Sequence, residues 1–303
     1  MKKKESIIQN ISYMALMAAI NVVFVLLTRF VPILFFLIVF VLPLTSVMVT
    51  LHCKKRYFPI YAVATIGLCL ICTIGQLYDT IFYVIPSVIS GFVFGLLVEK
   101  KVPSFWIIIS TTVIQILFTY VSIPLIDLIT GQSIVSVFAT VFGIKDFIYL
   151  DYVVPCFIFF MALSQEVLAY VIIREELPKF GYQLNEPKYL PLSLFIGLIS
   201  SIVLAVIFVF IYGPLSYLFT LFALLFAVYS IAYLVMESKV IIYILLGSSL
   251  IVSFFLFGII YRYMNQPLGL ILVNIFFFTV AIIVLINNYL LKENKKDRIN
   301  NVW

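Results

Sequence analysis

One of the thirteen carboxylates in this 303-residue chain, Glu166, lies well inside an apolar run. It sits in Ser164-Gln165-Glu166, two turns before the run gives way to Arg174. An ionisable group at membrane depth costs about 2.5–3.5 kcal/mol on insertion scales, so it demands a partner or a purpose. Glu166 is a proton or cation site, or it bonds to a neighbouring helix, with Gln115 and Asn21 as intramembrane polar groups, or it snorkels to the interface. The spacing leaves all three readings open.

A second constellation stands at the opposite ends of the apolar runs. Asp79, Asp127 and Asp151 close or open three successive runs, and Arg29 ends the first. Tyr78, Tyr83, Tyr120, Tyr149 and Tyr152 share their level, and Lys145 and Asp146 lie in the adjoining loop. If these runs are neighbours, Asp79, Asp127, Asp151 and Arg29 line one outward-facing cavity. Aromatics with a few charged groups suit a small polar ligand. The plainer reading is that Tyr belongs to the interfacial belt and that acids at helix ends are solvated. The chain has no HExxH, no phosphate-binding loop, no serine-nucleophile elbow and no paired aspartates for a nucleotide sugar. It is therefore not expected to be an enzyme, and no cofactor or metal is implied.

The elements that must position these residues are helices. Apolar residues make up 65% of the chain and charged residues only 11%, against about 25% in a soluble domain. The apolar runs are continuous and about 20 residues long, enough for a helix to cross the hydrocarbon core. In lipid the backbone is satisfied within such helices, whereas a barrel would show short alternating segments. The fold class is an all-α polytopic membrane bundle. Its ten predicted helices run over about 7–28, 33–51, 57–75, 80–98, 104–127, 148–172, 190–211, 215–236, 240–261 and 267–291, with a tight turn at Pro32 between the first two. No helix is expected to carry the Gly- or Pro-interrupted centre that inverted-repeat transporters use.

The basic residues orient the bundle. Of 19 Lys and Arg, all but Arg29, Lys145 and Arg262 fall on one side when the runs are read as alternately inward and outward. The positive-inside rule makes that side cytoplasmic, with both termini there, and places the protein in the cell membrane. It also accounts for the net charge of +6 without nucleic acid. The first run is too long for a cleaved signal peptide, and further spans follow it.

Two loops are longer than the rest. Residues 128–147, outside, form an interfacial helix or a cap. Residues 174–189, inside, are broken by Pro178, Gly181 and Pro187 and form the seam between a six-helix unit, 1–173, and a four-helix unit, 190–291. A basic tail, 292–303, follows. Cys69 and Cys72 form a CxxC within an apolar helix and read as packing residues. His52, beside Lys54-Lys55-Arg56, reads as interfacial, no other histidine being present to complete a metal site.

Two small-residue pairs stand four apart. Ala15 and Ala19 share a face of the first helix, and Gly91 and Gly95 share a face of the fourth, where the expected role is close packing within the protein. The Ala15-xxx-Ala19 face, Val31-Pro32, Val41-Leu42-Pro43-Leu44, and Ile85-Pro86 followed by Gly91-xxx-Gly95 and a basic stop together resemble the YybS-like membrane proteins. The N-terminal part of that family is similar in turn to the S-components of energy-coupling factor vitamin transporters. The resemblance covers residues 1 to about 175. It implies that substrate binds near the outer face and that Ala15 and Ala19 contact a coupling transmembrane subunit served by ATPases. S-components have six helices, and the four further helices here depart from that pattern.

Three functional readings follow. The chain is a small-molecule-binding subunit of an uptake transporter, a non-catalytic scaffold for other membrane proteins, or a proton-coupled secondary transporter using Glu166.

Overall fold

A computed structural model of the chain describes residues 4, 6–31, 35–74, 77–141, 143, 150–180, 191–237, 240–261 and 268–300. Among these residues the regular elements are helices alone. The turn at Pro32, Lys145, Asp146, Tyr149, most of the 174–189 loop and Arg262 lie outside them. The chain divides into two compact units, one of residues 1–146 with 158–188, the other of residues 147–157 with 189–303.

The first unit holds α1 (Ile7–Phe30), α2 (Phe35–His52), α3 (Phe58–Cys72), the short α4 (Leu77–Asp79), α5 (Ile85–Glu99), α6 (Ser104–Thr130), α7 (Ile134–Val141) and the greater part of α8 (Leu150–Glu176). The second holds the first turns of α8 with α9 (Pro191–Ile211), α10 (Gly213–Glu237), α11 (Val240–Tyr261) and α12 (Asn274–Asn300). Among the described residues nine helices are long and apolar enough to cross a membrane. The tenth predicted span is α2, whose backbone is helical over 18 residues. α12 runs on through the basic tail to Asn300. Within 128–147 the described residues hold the short helix α7, eight residues long.

α1 buries a stripe of Asn10, Met14, Ala18, Asn21 and Val25, spaced three and four apart as one helical face requires. Asn10 anchors its start. The Asn10 amide donates to the carbonyls of Lys4 at 2.9 Å and Ser6 at 2.7 Å, while its oxygen accepts the Lys54 backbone N–H at 2.9 Å. α2 and α5 meet along the glycine face. A Cβ on Gly91 would collide with the Pro43 carbonyl and lie 2.7 Å from Ser46 Cβ, and one on Gly95 would lie 2.6 Å from Thr50 Cβ. The expected close-packing role of Gly91 and Gly95 is what the structure shows.

The start of the fourth predicted helix, between α4 and α5, departs from the α-helical register. Thr80–Val84 is a π-helical segment directly before Ile85-Pro86. Pro86 has no N–H, and in the π register its partner would be the Ile81 carbonyl. Ser122 on α6 fills that vacancy, its Oγ donating to the Ile81 oxygen at 2.8 Å. Pro43, Pro124 and Pro155 likewise lie inside helices.

The second unit is more apolar within. Gly197 of α9 packs against the Phe226 ring of α10, and Asn274 of α12 donates to Thr220 Oγ1 of α10 at 2.9 Å. A hollow of about 370 Å³ there is lined by Ile202, Val206, Phe210, Ile271, Asn274 and neighbouring apolar side chains.

Candidate functional site

The turn that ends α6 builds a pocket. Gly131 takes the left-handed conformation, φ +68°, and its N–H reaches the Asp127 carbonyl at 3.0 Å, closing the helix. The Asp127 carboxylate then accepts the Ile134 backbone N–H at 2.8 Å, so this acid satisfies a free amide at the start of α7. The chain thereby doubles back, and α7 forms part of the wall of an open pocket of about 310 Å³ lined by Ile74, Leu77, Tyr78, Ile126, Thr130, Gln132, Ile134 and Val137. An adjoining hollow of about 470 Å³ shares Ile74 and Leu77 and is otherwise lined by Leu70, Ile71, Ile81, Ile85, Leu125 and Ile129. The pocket is thus mostly apolar-walled, with Tyr78, Thr130 and Gln132 as the polar residues of its lining.

Sequence reasoning singled out Tyr78 and Asp127 and missed Thr130 and Gln132. The Gly131 between them, directly after a long apolar run, was the available signal for a turn that brings flanking side chains back over the helix end. Asp151 is exposed on the first turn of α8, in the second unit. The side chains of Arg29 and Asp79 lie outside the described residues.

Ala15 and Ala19 are both exposed on α1, on the side away from the buried stripe, with Ile8, Ile11, Leu16 and Val23 exposed around them.

Two buried polar networks cross the first unit. In one, Thr45 Oγ1 of α2 donates to Asn21 Oδ1 of α1 at 2.8 Å, and Asn21 Nδ2 donates to the Tyr61 hydroxyl of α3 at 3.1 Å. The Tyr61 hydroxyl in turn lies 3.1 Å from Thr45 Oγ1, closing a triangle over three helices. In the other, Gln115 Nε2 of α6 donates to Gln165 Oε1 of α8 at 3.0 Å, and Gln165 Nε2 donates to Ser87 Oγ of α5 at 2.6 Å. Asn21 and Gln115 thus serve Tyr61 and Gln165. Glu166, the next residue, is fully buried, and neither carboxyl oxygen has a hydrogen-bond partner.

These features define a class, a helical multi-pass membrane protein with polar groups joining its helices at depth. A family model described as a predicted membrane protein (DUF2232) matches residues 19–143, the stretch from within α1 to just past α7 that contains the pocket. No curated protein and no solved structure matches the chain.

Proposed function

We propose that the chain is the solute-binding membrane subunit of an uptake system, similar in its first unit to the S-components of energy-coupling factor transporters. The observation that carries this reading is the open pocket beside the short helix α7, at the end of α6 away from Lys100 and Lys101. Its volume suits a small molecule. Its chemistry suits an uncharged, largely apolar solute bearing a hydroxyl or amide, because Tyr78, Thr130 and Gln132 are its polar groups and the Asp127 carboxylate is engaged by the Ile134 N–H. The exposed Ala15 and Ala19 lend support, since small residues four apart let another helix approach closely. That helix would belong to a coupling transmembrane subunit with its ATPases. The basic ends of the helices would face the cytoplasm, Asp79 and Arg29 would stand on the outer side, and Asp151 would open the outer end of α8.

The deciding experiment is purification of the intact protein in mild detergent, with mass spectrometry of co-purifying proteins and retained small molecules. A coupling subunit lost on Ala15→Trp, and a metabolite lost on Gln132→Ala, are the expected results. Neither of these, with a consistent set of other membrane proteins instead, would replace this reading with that of a scaffold.

A further inference from the structure

We propose that Glu166 is a proton-binding site inside the first unit, whose loading and release governs how α8 packs against α5 and α6. The proposal does not rest on the solute reading, since Glu166 does not line the pocket beside α7.

Three observations carry it. First, the carboxyl is enclosed, at 0% exposure, and both oxygens are without a hydrogen-bond partner. Second, the polar groups beside it are the hydroxyls of Ser90 on α5 and Thr111 on α6. Each of these hydroxyls has a carbonyl of its own helix within donating reach, Ser87 O at 3.3 Å for Ser90 and Ile107 O at 2.8 Å for Thr111. A hydroxyl has one proton to give. While they donate to those carbonyls, the two hydroxyls offer the carboxyl lone pairs that an acid O–H can use. Third, Gln165 is held by Ser87 and Gln115 at once, which fixes the rotation of α8 and keeps Glu166 facing inward.

Among the described residues the stretches of helix around Glu166 carry no cation to pair with it when ionised. Residues 41–51 of α2, 85–98 of α5 and 104–126 of α6 contain no Lys, Arg or His. The titratable and charged groups on these helices stand elsewhere. His52 is at the end of α2 with Nδ1 2.9 Å from the Met48 carbonyl. Glu99 at the end of α5 pairs with Lys55 at 2.9 Å. Asp127 caps α7, Tyr120 lies farther along α6, and on α8 Tyr170 donates to Ser104 Oγ at 2.8 Å. Arg174, Glu175 and Glu176 end α8. One proton relieves the burial of charge at Glu166 and supplies an O–H that Ser90 or Thr111 can accept. When Glu166 gives that proton to water, an enclosed carboxylate is left without a cation beside it. The seam between α8 and the α5–α6 pair must then admit water or open.

The test uses full-length protein in liposomes. Dicyclohexylcarbodiimide modifies protonated carboxylic acids in apolar surroundings, and peptide mass spectrometry locates the adduct. Glu166 should be modified, less so as the pH is raised, and infrared spectra should show a protonated-carboxyl C=O band that is absent from E166Q. E166Q should keep the wild-type melting temperature, since its amide fills the same space and donates to the same hydroxyls. Thr111→Val, which removes an acceptor, should shift that band without removing it, and this arm stands even if E166Q fails to fold. A carboxylate band with no adduct at any pH would overturn the proposal. Protection of Glu166 by sodium would also overturn it, in favour of a metal-cation site.

Discussion

At the scale of single residues, the first unit uses its polar side chains to bind helices together. Hydrogen bonds between membrane helices are worth about 0.5–2 kcal/mol each, so the Asn21–Thr45–Tyr61 triangle and the Ser87–Gln165–Gln115 chain each help to fix one packing of three helices. Asp127 shows how a residue's partner changes its meaning. By type and position it reads as a ligand for a solute, yet its carboxylate is committed to the Ile134 N–H. Asp127→Ala should destabilise the start of α7 by about 1 kcal/mol, as loss of an N-terminal cap does. Amide hydrogen exchange over residues 134–137 should rise accordingly, while Asp127→Asn, which keeps an acceptor oxygen, should leave it near wild type. Exchange that stays slow in Asp127→Ala would show that the cap is dispensable.

At the scale of elements, two features set the architecture of the first unit. One is the glycine face of α5, where the absence of a Cβ lets α2 come into backbone contact. Gly91→Ala should cost about 1–3 kcal/mol, because the new methyl meets the Pro43 carbonyl, a backbone atom that cannot rotate away. Gly247→Ala on α11 is the matched control. Nothing lies within 4 Å of its Cβ position, so the same change should be neutral or slightly stabilising. Thermal unfolding of the two variants in one detergent decides the point, and equal losses would sink the argument. The other feature is the π segment Thr80–Val84, sustained by Pro86 from within and by Ser122 from α6. It widens the helix beside Leu77 and Tyr78, which line the pocket beside α7.

At the scale of the whole molecule, the charge asymmetry predicts the orientation. With Cys53, Cys69, Cys72 and Cys156 replaced, Gln132→Cys should react with a membrane-impermeant thiol reagent in intact cells. Lys101→Cys should react only after permeabilisation. The reverse pattern would invert the bundle and place the pocket beside α7 on the cytoplasmic side.

The sequence by itself determined the class, the approximate spans and the side on which the basic residues gather. Hydrophobic length and charge placement are local quantities, and lipid imposes one solution, the helix, on every long apolar run. It also made the Gly91-xxx-Gly95 contact legible, since small residues at that spacing have few other uses. Tertiary structure alone decided which polar groups meet. Asn21 and Gln115 were visible as partners in need of partners, but their mates, Tyr61 and Gln165, lie 40 and 50 residues away and are chosen by helix packing. The same packing encloses Glu166 beside Ser90 and Thr111, and it turns the segment from Thr130 to Ile134 into one wall of a pocket. Such pairings depend on distances between distant segments, and these exist only once the helices have packed.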